Sequence, residues 1–290
     1  MRLLTAVLYL VLSVIVSTNG KAQINQVPVF LNHLYFVLDS NSYAHIFDSA
    51  FLQKMGNTTE KKTTTTGGSW SGKYLTGRDS YFEVFPPKGF TGATEGNIGF
   101  GFMTFKQGDI NKLEANWKAD SKDSVKSDTS TLMKDGIKLS WFYSLSLYSV
   151  DSIVPASAWV MENTPDMLKA RGFTEDEIRK PISWGEFVEK KSKTKFTKAF
   201  NRITSVEIIT NKKGFDYLNK SFLGFGLKEK NNTFFNDYVS IKYTITDISS
   251  TELKKVEIEL NTSFKEQTII LCDKLSMHVK DKSATLVFIR

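Results

Sequence analysis

The sequence holds a single cysteine, Cys272, in 290 residues. No intramolecular disulfide can form, so a core of sufficient size has to hold the chain together. Cys272 lies in "TIILCDKL", where it reads as a buried strand residue with nothing nearby to activate a thiol. There are three histidines, His33, His45 and His278, and none stands in a recognisable Ser-His-Asp arrangement. The sequence contains no G-x-S-x-G elbow and no full phosphate loop; the Gly-x-Gly pieces in "GFGFMTF" and "LGFGLKEK" read as strand packing or bulges. The net charge is +7, but the lysines are scattered among Asp, Glu, Ser and Thr. Nucleic-acid binding asks for a concentrated basic face, and none is visible. Beyond the N-terminus, no apolar run is long enough to span a bilayer.

What is present begins with "MRLLTAVLYLVLSVIVSTNGKAQ". Arg2 opens it, Leu3–Val16 is apolar, and a polar stretch closes it. This three-part pattern predicts a signal peptide over residues 1–23, cleaved after Ala22 or Gln23, and a secreted or periplasmic protein free of the membrane after cleavage. No cysteine follows it to carry a lipid. Four Asn-x-Ser/Thr sequons, at Asn57, Asn219, Asn231 and Asn261, would matter only in a eukaryotic secretory pathway. Hydrophobic residues make up 41% of the chain and aromatics 13%, which places it among globular proteins.

The rest of the chain reads as strands with interspersed helices, an α+β layer fold. "VPVFLNHLYFVLD" is a strand. "SNSYAHIFDSAFL" is a helix with Tyr43, Ile46, Phe47, Ala50 and Phe51 on one face. Three short strands follow, ending at Pro86. The pattern restarts with the strand "GNIGFGFMTF" and a helix carrying Ile110, Leu113 and Trp117, with Asp109 as its cap. A loop is expected at about 118–130, then two strands ending in "PASAWVMEN". Pro165 starts a short helix and Gly172 ends it, while Thr174 and Glu177 form a capping box for another. Residues 186–199 read as an exposed Lys-rich connection. A third run starts at "RITSVEIIT" and closes with a helix and several strands. The expected organisation is a paired unit at 24–165, a helical, Lys-rich connection at 166–200 and an additional module at 201–290.

Strand alternation puts His33, Tyr35 and Val37 on one face of the first strand, opposite the Leu34/Phe36 face that the helix would cover. Tyr81, Glu83 and Phe85 group in the same way on "SYFEVF". Glu162 ends its strand, grouped with Val160 and Ala158. One His and two Glu on separate strands can form a divalent-metal set for Zn, Ni, Mn or Fe. Aromatic residues on the His33 side, Tyr35, Tyr81 and Trp159 among them, can line a small-molecule pocket. His45 is expected on a helix surface and His278 on a strand.

The element order, the first strand "NHLYFVLD" and the fourth strand "SYFEVF" resemble the vicinal oxygen chelate superfamily, which includes glyoxalases, bleomycin-resistance proteins and extradiol dioxygenases. The resemblance implies repeated βαβββ modules forming cupped mixed sheets. It also implies metal ligation by His33, Glu83 and Glu162, with Glu162 as an alternative proton-transfer base. The activity implied is a metal-dependent lyase, isomerase or dioxygenase acting on adjacent substrate oxygens. The first strand of the second unit has Gly99 or Ile98 where such a metal enzyme places a His, and the third unit has Ser205. Two other expectations stand beside the enzyme: a non-catalytic small-molecule binder of the same fold, and an interaction scaffold with a filled cup whose last unit supports a homodimer.

Overall fold

The computed structural model describes residues 27–65, 68–120, 124–134, 136–147 and 156–289. The expected signal segment lies outside them. No helix among the described residues is long and apolar enough to cross a membrane.

The architecture is mixed α+β, with two mixed sheets, the first strongly curled into a half-barrel. The first sheet contains β1 (Val29–Val37), β2 (Asn57–Thr65), β3 (Gly68–Thr76), β4 (Tyr81–Phe85), β5 (Ile98–Thr104), β6 (Val125–Lys134), β7 (Ile137–Leu147) and β8 (Ala156–Asn163). Their spatial order is β2-β3-β4-β1-β5-β8-β7-β6. β1 runs parallel to β4, β5 runs parallel to β8, and β1 and β5 meet antiparallel at the centre. Read outward from that centre, each half presents the first, fourth, third and second strand of its own run. The edge strands β2 and β6 approach each other, so the sheet nearly closes.

Three helices belong to this sheet: α1 (Ser40–His45), α2 (Ala50–Met55) and α3 (Asp109–Asp120). The single helix expected after β1 is thus two short ones. Asp39 caps α1 through bonds from Asn41 and Ser42, and the α1–α2 break lets Ile46, Leu52 and Met55 all reach the core. In α3, Ile110, Leu113 and Trp117 are buried, as their spacing requires. The loop expected at about 118–130 is not one. α3 runs to Asp120 and β6 begins at Val125, a strand of alternating polar residues that lies at the sheet edge and has no core face to betray it.

Next come α4 (Pro165–Ala170), α5 (Glu175–Ile178) and α6 (Trp184–Ser192). Thr164 caps α4 by accepting from the Met167 amide, and Thr174 and Glu177 make the expected reciprocal box. The expected exposed connection at 186–199 is instead largely α6. A second box, Ser183 with Glu186, starts it, and its Phe187 is buried with Met167, Leu168, Phe173 and Ile178.

The second sheet contains β9 (Phe200–Thr210), β10 (Lys228–Glu229), β11 (Thr233–Phe235), β12 (Ser240–Ile245), β13 (Glu252–Cys272) and β14 (Leu275–Phe288), in the order β10-β11-β12-β9-β13-β14. Between β9 and β10 lies α7 (Lys212–Gly224). Of the strands expected at the C-terminal end, "DYVSIKYTITD" is β12, and "LKKVEIELN", "EQTIILCDKLSMHV" and "SATLVFIR" form one long hairpin, β13–β14, which pairs past several bulges. Cys272 ends β13 beside the turn and is half-buried.

One apolar core joins the two sheets. It forms on the Leu34/Phe36 face of the first sheet. Phe82 stacks on Phe200 at 5.5 Å, Phe100 meets Phe222 at 5.3 Å, and Phe36 meets Phe288 at 5.2 Å. Each such ring, fully buried, contributes about 2–3 kcal/mol. With this face committed to the core, the opposite face is left to enclose a site.

Candidate functional site

The concave face of the first sheet encloses a cavity of about 370 Å³. β1 supplies Asn32, His33 and Tyr35, β4 supplies Tyr81, Glu83 and Phe85, and β8 supplies Trp159, Met161 and Asn163. Trp70 of β3 and Trp141 of β7 come from the two curled ends and stack across the cavity at 6.4 Å, 10° from parallel. Phe90 from the β4–β5 loop and Trp184 from α6 close its ends.

Local sequence explains why two neighbours, Asn32 and His33, both line it. The β1–β5 register slips between Leu31 and His33, a β-bulge that turns Asn32 to the His33 side. Two glycines of β5 make room for the rings opposite. His33 pairs with Gly101 and Tyr35 with Gly99, and a Cβ at either glycine would meet the facing ring. The His33 ring lies flat on Tyr81 at 4.7 Å and edge-on to Trp159 at 5.2 Å. Tyr35 hydrogen-bonds Ser157 at 2.8 Å. Phe85 covers Gly72 in the same way that Tyr35 covers Gly99.

The electrostatics follow from this enclosure. Burial pulls the His33 imidazole down to about 3, so it is neutral in ordinary conditions. Its Nδ1–H donates to Asn32 Oδ1 at 3.1 Å, leaving Nε2 as the acceptor. Glu83 borders the cavity and is half-buried by surface, yet enclosure pushes its carboxyl up to about 7 against the attraction of Lys61 and a hydrogen bond from Tyr81. Desolvation likewise raises Tyr35 to about 12. Asn32 and Trp184, both in the cavity wall, each retain a buried side-chain nitrogen with no partner.

The structure brings His33, Glu83, Tyr35, Tyr81 and Trp159 together around one cavity. It does not bring Glu162 with them. On β8, Trp159 and Met161 face the cavity, so Glu162 points to the opposite side. There it accepts from Thr104 Oγ1 at 2.9 Å, the Gly108 amide at 2.8 Å and the Ile110 amide at 2.9 Å. These are the orphan donors at the start of α3, so Glu162 does the capping that Asp109 was expected to do. Burial raises its pKa, an effect that these bonds oppose.

This placement decides how well a metal fits. The cavity lining holds one imidazole, His33, and one carboxyl, Glu83. No group of three or more His, Cys, Asp or Glu able to hold an ion occurs among the described residues. Zinc and its relatives take three or four protein ligands. Gly99 cannot become one without displacing Tyr35, so the donor set does not fit a divalent-metal centre. His45 pairs with Asp48 on the surface, and His278 lies exposed on β14 near Glu266; neither is near the cavity.

Sequence reasoning passed over several lining residues. Asn32 is hidden by the bulge. Trp184 sits in a segment read as connection, although the Ser183–Glu186 box was there to mark the helix. Lys61, on the Thr- and Lys-rich β2, lies over the Tyr74 ring at 4.4 Å and within electrostatic reach of Glu83.

Comparison with known proteins gives little by way of a named activity. Among solved structures, a hypothetical protein from Staphylococcus aureus is similar at 12% identity and a TM-score of 0.49, over 84% of this chain and 96% of that one. A xylose isomerase-like TIM barrel/4-hydroxyphenylpyruvate dioxygenase fusion protein is similar at 9% identity and a TM-score of 0.44, over 78% of this chain and 35% of that one. No curated protein matches the sequence. Residues 31–288 match a family model described as "Family of unknown function (DUF5829)", and the chain belongs to that family.

Proposed function

We propose that this member of the family is a non-catalytic binding protein for a small, planar, largely apolar molecule, held in the concave cavity of the first sheet. The observation that carries the reading is the cavity itself. About 370 Å³ is walled by the rings of Trp70, Trp141, Trp159, Trp184, Tyr35 and Tyr81, with a few polar groups among them. That combination is the usual form of a small-molecule site. The unpartnered nitrogens of Asn32 and Trp184 add to it, since a ligand oxygen that reached them would recover an unmade hydrogen bond of about 1–3 kcal/mol.

The strand order supports a vicinal oxygen chelate type of architecture, two strand–helix–three-strand halves meeting at β1 and β5. In that reading the cavity stands where such proteins surround their ligands, with aromatic rings in place of the metal set. The pattern of residues 1–23 supports action outside the cytoplasm.

The test is calorimetric titration of the neutral two-ring probe 2-naphthamide into the parent and a Ser130→Phe variant. Ser130 is a half-buried β6 residue on the cavity wall, so the added ring occupies the cavity without entering the core. Saturable binding to the parent, lost in a variant of unchanged melting temperature, is the expected result. Equal binding by both proteins would locate the probe elsewhere and remove the reading.

A further inference from the structure

Three cations converge beside the cavity. Lys61 projects from β2 on the cavity side of the sheet and sits over the Tyr74 ring. Arg171 follows α4 and lies over the Phe187 ring at 5.9 Å. Lys191 lies on α6 one turn beyond Phe187 and two beyond Trp184, hence on the same side of that helix. Among the described residues none of the three has an ion-pair partner, whereas the neighbouring Lys190 is paired with Glu177. The Arg171 Nε is buried with no acceptor. Glu83 lies within electrostatic reach of Lys61, and enclosure holds its carboxyl largely protonated below neutrality.

Like charges so placed repel one another. Lys191 keeps surface at the rim, yet partial enclosure, then Lys61 and Arg171, bring its amine down to about 8. Lys61 is lowered mainly by desolvation; Glu83 opposes this and Arg171 adds to it. Lys61 and Lys191 keep exposed surface, and Arg171 is half-buried. Here two sides of a mouth, the sheet edge and the helical segment, direct cations toward each other next to an aromatic cavity.

Resting on the binding role proposed above, we infer that the ligand is an amphipathic anion: an aromatic or flat apolar body in the cavity, with an oxyacid group, carboxylate or phosphate, held at the rim by Lys61, Arg171 and Lys191. Arg171 supplies the donor fork suited to two oxygens, and the lysines supply point charges. Below about pH 7, Glu83 is mostly the neutral acid and can stand near an anion without repelling it.

Three probes of one shape separate the terms: 2-naphthamide, 2-naphthoate and 2-naphthyl phosphate, titrated calorimetrically into the parent, a Lys61→Gln/Arg171→Gln variant and a Lys62→Gln control. Lys62 is the next residue on β2 and is exposed. The parent should bind naphthoate about tenfold or more tighter than the amide at low salt, with the advantage shrinking as salt is added. The double variant should reduce that preference to within about twofold while binding the amide as before, and the control should keep it. Phosphate binding tighter than carboxylate would assign the natural group as a phosphate ester; the reverse order would assign a carboxylic acid. Equal affinity for amide and both anions in the parent would overturn the inference and leave the binding role standing. An anion preference that survives in the double variant would overturn it as well. Failure of all three probes to bind would remove the binding role and the inference together.

Discussion

Replacing Glu83 by Gln should stabilise the protein above neutral pH and leave it nearly unchanged in mild acid. The carboxyl sits among Tyr81, Tyr74 and Tyr35, and enclosure raises its pKa from an ordinary 4.5 to about 7. Unfolded, it releases its proton near 4.5; folded, it keeps it to about 7. Between those values the folded state binds more protons than the unfolded one, so stability falls as pH rises, and the full penalty stands above pH 7. At ~1.4 kcal/mol per pH decade the penalty is about 3 kcal/mol. Gln has the shape of the protonated acid, still accepts the Tyr81 hydroxyl and never ionises. His33 titrates identically in both proteins and cancels from the difference. Urea unfolding followed by tryptophan fluorescence should therefore give a variant equal to the parent within about 0.5 kcal/mol at pH 4.5 and more stable by about 2–3 kcal/mol at pH 8.5. A difference that is the same at both pH values, or a variant less stable at pH 8.5, would show that Glu83 is ionised at little cost and that the enclosure argument is wrong.

Two further substitutions test how the cavity is built. Glu162→Ala should lower stability by about 3 kcal/mol or more, because it strands the buried Gly108 and Ile110 amides at the start of α3; its affinity for 2-naphthamide should match the parent's. Lost affinity at unchanged stability would instead put Glu162 in the site. Gly101→Ala should force the His33 ring off its seat on β5, costing about 1–3 kcal/mol. Thermal unfolding and the His33 Cε1–H resonance report it, and a variant unaltered in both would refute the ring-on-glycine packing.

The pleat rule made much of this site readable in advance. His33 and Tyr35 share a face with Tyr81, Glu83 and Phe85 because alternation is fixed by backbone geometry, and the parallel register of β1 with β4 sets the two groups side by side. The same rule also limits what can be expected of β8. Residues 159 and 162 differ in parity, so Trp159 and Glu162 cannot both face the cavity on a regular strand. Choosing between them requires knowing that Gly101 pairs with Trp159 across the parallel β5–β8 contact, a long-range fact absent from the local pattern. Asn32 was illegible for the opposite reason: a bulge breaks the alternation that sequence reading relies on. Lys61 and Lys191 looked like solvated charge because nothing local distinguishes a lysine at a mouth from a lysine on an open face. The β13–β14 hairpin reads as shorter strands because its middle, at about 261–267 and 280–283, carries polar residues on both faces, leaving no hydrophobic period to follow there.

The glycines of β5 bear on how a metal-holding cup and an aromatic one exclude each other. The resemblance in the sequence implies a metal ligand from the first strand of each half. Here β1 and β5 are antiparallel neighbours, and the side chains of directly paired residues lie side by side on one face of the sheet. A large side chain on one strand therefore takes the room of its partner on the other. Tyr35 fills the space in front of Gly99 and His33 that in front of Gly101, so a second imidazole on β5 could arise only with the loss of a ring from β1. The missing histidine on β5 and the aromatic wall on β1 are thus one structural choice. Reversing it would take paired changes, such as Tyr35→Ala with Gly99→His, because either change alone leaves a hole or a clash.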